Sequence, residues 1–439
     1  MMATRNWLPS TSYESAAKQM QIIVIGAGAA GLVAAAEAAR RGASVVLLEK
    51  NNKTGVKILM SGGTRCNVTH DTDARGITEA FAHAKRFLQP SVGAFSPTDV
   101  VEMFRTAGVP TKIESTGKIF PESNRAVHVR DALHSMAVDA GVQIRLGQGV
   151  QALEQNSQGH RWRVSTDAGQ LECDRVIVTA GGRSWPGCGT TGDAYDWLRK
   201  LGHSIVQTRP ALVPLVGGCQ WTHDLSGVTV EDSEARVLPA TGKQKPLKTR
   251  RSSWLCTHFG FSGPAAMDVS GAITAAPSFK DVRLLVDLAP SISSDQVQAA
   301  LSNRSSDGGK QRVSSVVAGW LPKRLATAIV AQTGSDQTIA ELSRKHMLEL
   351  VAHIKALELP IHGTRGFAKA EVTAGGVSLK EVNPKTMESR IVPGLFIAGE
   401  VLDVDGPIGG YNFQAAFSTG RAAAIAATRS DISDKPTTG

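Results

Sequence analysis

The stretch Ile22-Ile23-Val24-Ile25-Gly26-Ala27-Gly28-Ala29-Ala30-Gly31, continuing to Glu49, decides the fold. Four consecutive apolar residues read as a strand buried on both faces of a parallel sheet. The GxGxxG spacing reads as a tight turn into a helix. Gly26 permits the turn, Gly28 lets backbone approach a pyrophosphate, and Gly31 lets the helix pack close to the strand. The free N–H groups and positive dipole end of that helix suit a phosphate. A second apolar run, Ser44-Val45-Val46-Leu47-Leu48, delivers Glu49 eighteen residues beyond Gly31. A carboxylate there can accept hydrogen bonds from both ribose hydroxyls of an adenosine. Strand, helix and acid in register point to a dinucleotide-binding α/β unit. The competing reading is a glycine-rich turn in an ordinary α/β protein.

The chain has 439 residues, enough for two or three domains, with 42% hydrophobic and 20% charged residues, as in a globular protein. No apolar run reaches the roughly 18–20 residues of a membrane helix. Residues 1–20 lack a continuous apolar segment and read as a flexible extension rather than a secretory signal, or as a leader upstream of a start at Met20. Five scattered cysteines without CxxC spacing argue against a disulfide framework or a zinc site, and suit a reducing cytoplasm. No metal is expected. The net charge of +9 and pI near 9.4 are unusual for an enzyme of small neutral metabolites and favour polyanionic partners.

Texture divides the chain. Residues 21–205 and 366–428 alternate strand-like and helical patterns, with a helix expected over Ala34–Arg41 and a final one over Asn412–Ala427. Residues 206–313 and 357–365 read as β-rich, residues 314–356 as a small helical unit, and residues 429–439 as a flexible tail. More than half of the net positive charge falls in 206–365, with Lys243, Lys245, Lys248, Arg250 and Arg251 as its densest cluster. That cluster is either a solvated loop or a nucleic-acid face. Rossmann-like texture reappearing after so long a gap implies an inserted segment, because connections in compact domains are short.

The run Phe396-Ile397-Ala398-Gly399-Glu400-Val401-Leu402-Asp403 resembles the second cofactor motif of two-dinucleotide-fold flavoproteins. There a strand brings an acid, here Asp403 or Asp405, to the ribityl side, and the next helix aims its N-terminus at the flavin. Further motifs follow in one order along residues 20–427: Ser-Gly-Gly-Thr-Arg-Cys-Asn-Val-Thr at 61–69, Gly117-Lys118-Ile119-Phe120-Pro121, Thr179-Ala180-Gly181-Gly182, Thr257-His258-Phe259-Gly260-Phe261-Ser262-Gly263-Pro264, Val372-Thr373-Ala374-Gly375-Gly376-Val377 and Gly409-Gly410-Tyr411-Asn412-Phe413-Gln414. Together they resemble the bacterial FAD-dependent flavoproteins described as aminoacetone-oxidase-like or bile-acid-reductase-like, a family that includes the ribosomal RNA dihydrouridine synthases. One departure is Ser61, where the family has a third glycine.

The resemblance implies a Rossmann-like FAD-binding α/β domain interrupted by an inserted β-barrel-like domain and a small helical domain. It implies FAD contacts from Gly26, Gly28, Ala29, Ala30, Gly31, Glu49, Lys50, Lys57, Gly62, Gly63, Arg65, Asn67, Val150, Ala180, Gly181, Gly182, Gly399, Glu400, Asp403, Gly410, Tyr411 and Asn412. Arg65 would face the phosphates and Asn67 the ring. Cys66 is a candidate proton donor, against the alternative of a small buried apolar residue. His258, in a small-residue turn, is either a second donor or a hinge-fixing histidine. Tyr411 either meets substrate or caps the last helix.

Two catalytic readings and one binding reading follow. In the first, FAD-borne hydride passes to a uracil of large-subunit ribosomal RNA to give dihydrouridine, with Lys248, Arg250 and Arg251 holding the RNA and NADPH or NADH as transient reductant. The base must leave its stack to react. In the second, the substrate is a small enone or amine, for which a buried pocket suffices. The third is a flavin-bearing protein without turnover.

Overall fold

A computed structural model describes residues 19–156, 161–242, 245–304, 308–334 and 336–429. Nearly all of the expected N-terminal extension and C-terminal tail, and Lys243 of the basic cluster, lie outside those residues. Strands β1 (Gln21–Ile25), β2 (Ser44–Glu49), β3 (Gln143–Leu146), β4 (Arg175–Val178) and β5 (Leu395–Ile397) form one parallel sheet in the order β5-β4-β1-β2-β3. Register places Ile22 beside both Val45 and Arg175. From the central β1 the chain winds outward first to β2 and later to β4 on the opposite side. A sheet of this kind opens a crevice at the carboxyl end of its central strand. Helix α1 (Ala29–Arg40) begins five residues before the expected Ala34. The GxGxxG turn consumes so few residues that its last three positions are already helical.

The texture change in mid-chain corresponds to a seven-stranded antiparallel sheet built from 215–217, 229–239, 248–257, 260–262, 282–287, 357–359 and 361–364. Its two outermost strands, Leu357–Leu359 and Ile361–Thr364, are joined through Pro360 alone, so the sheet's edges meet and it curls as a barrel does. Helix α2 (Gly263–Ala275) fills the concave side with Ala265, Ala266, Val269 and Ile273. The segment read as a helical unit contains Val313–Val317, Lys323–Gln332 and Arg344–Lys355. Their buried Val317, Leu325, Ile329, Leu350 and Ile354 belong to the same apolar core as the sheet. A two-stranded ribbon, Ile205–Ala211 against Val372–Val377, joins this part to the dinucleotide sheet and spans the expected junction at 205/206.

Helix α3 (Tyr411–Ala427) closes the parallel sheet. Small residues let it lie on α1: a Cβ at Gly420 would stand 2.4 Å from the Ala30 carbonyl oxygen. Among the described residues, no helix is long and apolar enough to cross a membrane.

Candidate functional site

A cleft of about 330 Å³ starts at the carboxyl end of β1 and reaches the seam with the second sheet. At its first end the three fingerprint glycines have three different reasons to be glycine. Gly26 has φ +99°, and a Cβ there would sit 2.7 Å from the Thr179 carbonyl oxygen. A Cβ at Gly31 would lie 1.8 Å from the Gly26 oxygen and 2.6 Å from Thr179 Oγ1. Gly28 faces open space, with nothing within 4 Å of its missing Cβ. Gly28 is also the N-cap of α1 and offers no side chain to the first-turn N–H groups, which point into the cleft unsatisfied by the helix itself.

Glu49 is buried at the end of β2. Its Oε2 accepts the Ala27 N–H at 2.8 Å, and Oε1 accepts the Asn51 N–H at 2.9 Å and Asn51 Nδ2 at 2.7 Å. The carboxylate therefore ties the glycine turn to β2 while keeping acceptor capacity on the cleft wall. Lys50 pairs with Asp193 at 2.5 Å, and both line the cleft beside Gln148 and Val150.

In mid-cleft, Lys57 forms an ion pair with Glu400 and donates to Ser184 Oγ at 2.5 Å. Glu400 Oε1 accepts from Ser184 Oγ at 2.5 Å and from the Thr373 N–H at 2.9 Å. This network ties segments 57, 184, 373 and 400 into one floor, with Ala180, Gly181 and Gly399 beside it. Gly182 lies off the cleft wall; a Cβ there would meet Thr373 Oγ1 at 2.4 Å, so it is a packing glycine.

Beyond the floor the cleft is lined by Gly62, Asn67, Gly410 and Asn412, then by Leu212, Met267, Glu371, Val372 and Ile408 at the seam. Asn412 clamps the preceding loop, accepting the Gly406 N–H at 2.8 Å and donating to its carbonyl at 2.9 Å. Ala29 and Ala30 also line the cleft.

Several expected residues stand elsewhere. Gly63 is exposed and off the cleft wall. Arg65 does not face it either: the guanidinium pairs with Glu114, donates to Asn124 Oδ1 at 2.8 Å, and lies 4.0 Å over the Phe120 ring. Cys66 is fully buried and lines no part of the cleft, and burial raises its thiol pKa to about 12. Four residues with positive φ (Gly62, Gly63, Thr64 and Cys66) wind this loop so that only Ser61, Gly62 and Asn67 reach the cleft.

Asp403 turns outward to His83, with Oδ1 3.3 Å from Nε2. The hydrogen bond that His83 donates to Asp403 raises the His83 pKa to about 9. Asp405 stands close enough for His83, Asp403 and Asp405 to bring ligand-type atoms within 4.8 Å of one another. The His83–Asp403 contact makes this an ion-paired cluster. Tyr411 stacks on His70 at 4.7 Å between centroids, outside the cleft. His258 is exposed in the turn between 248–257 and 260–262, edge-on to Phe259 and away from the cleft.

The expected RNA-binding triad is divided by strand alternation. Arg250 pairs with the buried Asp268 at 2.7 Å, and Asp268 Oδ1 also accepts the Ile408 N–H at the cleft mouth. Arg251 points to the opposite face, held by both Asp232 oxygens and by Ser291. The Lys248 side chain is exposed and makes no hydrogen bond or ion pair among the described residues. Sequence reasoning missed Asn51, Gln148, Met267 and Glu371. Asn51 was within reach, two residues past Glu49, but Glu371 carries no local signal.

Fold and cleft together define a Rossmann-type dinucleotide-binding protein. The chain belongs to the HI0933-like family, whose Rossmann-domain model matches residues 20–426. It is similar to a ribosomal RNA dihydrouridine synthase of Haemophilus influenzae, at 33% identity over 93% of this chain and 98% of the relative. A 3-dehydro-bile acid delta(4,6)-reductase of Clostridium scindens is 32% identical, with the same coverage. A ribosomal RNA dihydrouridine synthase of Escherichia coli is 30% identical, again over 93% and 98%.

Proposed function

We propose that this chain is a FAD-dependent oxidoreductase that reduces the C5=C6 bond of a uracil in large-subunit ribosomal RNA to dihydrouridine, with NADPH or NADH as transient reductant. The observation that carries the reading is one cleft with two unlike ends. One end offers a phosphate cradle, and the other an apolar opening beside Asp268, on which the cations Arg250, Lys248 and Lys118 act.

The residues present fit FAD. The open face of Gly28 leaves room for a pyrophosphate, which added Cβ atoms would fill, and Glu49 presents a buried carboxylate toward the ribose position. Bound FAD would supply two-electron hydride chemistry, which no side chain provides. The chain's own residues bind and orient. The first-turn N–H groups of α1 hold phosphate, and Glu49 fixes the turn. The Lys57–Glu400 pair sets a polar floor in mid-cleft, and Leu212, Met267 and Ile408 make an apolar seat for a planar ring. Lys248 and Lys118 supply cations near the mouth, where both act on Asp268.

Two of the three relatives named above support the RNA substrate by name. The third supports a small enone substrate, and the apolar seat favours that reading equally. Mass-spectrometric counting of dihydrouridine in large-subunit ribosomal RNA from cells with and without the gene separates the two. Loss of one site, restored by the gene, is expected. Unchanged counts would refute the RNA substrate and leave the small-enone reductase.

A further inference from the structure

Adding two hydrogens across a polarised double bond takes a hydride at one carbon and a proton at the other, so the cleft needs an acid. The residues that sequence motifs offer for this task are misplaced: Cys66 is sealed in the core, His258 is on an outer turn, and Tyr411 is stacked on His70. The ionisable side chains that do line the cleft are mostly committed. Glu49 accepts from Ala27 and Asn51, Lys50 pairs with Asp193, and Lys57 pairs with Glu400. Cys188 sits at the far end, where its carbonyl accepts from Asn51.

Glu371 remains. It precedes the strand Val372–Val377, and its N–H donates to the Leu212 carbonyl at 3.0 Å. That bond fixes the backbone across the seam ribbon. Its carboxyl makes no hydrogen bond or ion pair with any described residue; Glu371 lines the cleft together with Leu212, Val372, Met267 and Ile408, and Lys57 and Glu400 are the charges that act on it. We propose that Glu371 is the general acid of this cleft, delivering its carboxyl proton to the carbon α to the substrate's carbonyl.

The inference rests on the oxidoreductase reading above. Bound reduced flavin, recharged by a reduced nicotinamide dinucleotide, would supply the hydride for the new C–H bond at the β carbon. The π electron pair moves to the α carbon and takes the proton as the carboxyl O–H bond breaks. The resulting carboxylate regains a proton from water. Burial raises the Glu371 pKa; Lys57 opposes this and Glu400 reinforces it. A neutral acid therefore persists to higher pH than an exposed glutamate would allow, as general-acid work near neutrality requires.

The test uses the FAD-loaded full chain, reduced and then mixed with one of three oxidants: a large-subunit ribosomal RNA transcript, 2-cyclohexenone, or ferricyanide, which takes electrons without protonation at carbon. Glu371→Gln should slow reoxidation by the carbon–carbon double-bond acceptor about 10²-fold or more. Flavin content and ferricyanide reoxidation should match the parent, and the parent's alkaline fall in rate should disappear. Glu371→Asp should restore part of the rate, which guards against a folding defect in the amide variant. Reoxidation of Glu371→Gln by RNA or enone at the parental rate would overturn the assignment. If the parent responds to the enone and not to RNA, and the variant shows the same loss, the RNA reading falls and Glu371 stands. A parent inert to both double-bond acceptors would overturn the proposal together with the reductase reading.

Discussion

Replacing Gly28 and Gly31 separately by alanine should separate cofactor binding from folding, three residues apart. At Gly31 the new Cβ would lie 1.8 Å from the Gly26 carbonyl oxygen, more than 1 Å inside the 3.0 Å below which real Cβ atoms essentially never come. The obstacle is backbone, so α1 must lift from the sheet and lose buried contacts of Leu32, Ala34 and Ala35. Overpacking of this kind costs about 3 kcal/mol. The gain from removing a helix-interior glycine offsets about 1 kcal/mol, leaving a net loss of about 2 kcal/mol. At Gly28 the backbone is ordinary (φ −82°) and the space is open. Alanine is a poorer N-cap there by about 0.5 kcal/mol, roughly offset by the entropy removed from the unfolded chain. Flavin-free Gly28→Ala should therefore melt with the parent, yet bind FAD about 100-fold more weakly, or about 2.7 kcal/mol. Tryptophan-monitored melting of the flavin-free proteins and FAD titration by flavin fluorescence read the two quantities. Unchanged melting of Gly31→Ala would refute the close-packing argument, and unchanged FAD affinity of Gly28→Ala would remove the pyrophosphate from this turn.

Four further outcomes are expected. Cys66→Ala should lower stability by about 1 kcal/mol through lost burial and leave single-turnover reoxidation unchanged; a slowed protonation step would return the thiol to the mechanism. Lys118→Ala and Lys248→Ala should each reduce the logarithmic salt slope of RNA binding by about 0.7, while Arg251→Ala, already neutralised by Asp232, should not. Arg250→Ala should instead destabilise the fold by about 3 kcal/mol, because it strands the buried Asp268. Equal salt slopes for all four variants would move the RNA face elsewhere. The native pKa of His83 is raised from 6.5 to about 9, so its ion pair stabilises fully below 6.5 and the benefit is lost as pH rises through 9. With the imidazole half-exposed, solvent screening limits the effect to about 1 kcal/mol. Melting of His83→Gln against the parent should therefore differ below 6.5 and converge above about 9; a constant difference would refute the ion pair.

What was legible in the sequence is what short-range geometry determines. The strand, glycine turn, helix and Glu49 lie within twenty-eight residues, and each demands its residue type for a local reason. Glu400 was legible for the same reason, as the end of an apolar strand. Directions within loops were not. Asn67 reaches the cleft while Cys66 and Arg65, adjacent to it, do not, because consecutive left-handed residues rotate each side chain differently. Strand alternation likewise sends Arg250 to the cleft mouth and Arg251 to the far side, although the two are inseparable as a charge cluster. Glu371 was invisible because its position depends on pairing with residues some 160 positions earlier.

The division between local and long-range elements bears on what family membership can decide. Two relatives of nearly equal identity carry names for unlike substrates, one a ribosomal RNA and one a bile-acid derivative. The fingerprint glycines and Glu49 face the cofactor end, so they serve either substrate equally well. Leu212, Met267 and Ile408 face the other end, and they come from the residue just past the ribbon strand, from α2 and from the loop before α3. On the proposed reading, substrate choice lies with these three apolar side chains and the charge around the mouth rather than with the glycine motifs. Enlarging Met267 to Trp should block a bulky acceptor at the seam while leaving FAD affinity unchanged, since Met267 stands on the second sheet's own helix. A parallel loss of FAD binding would show that the two ends of the cleft are not separable.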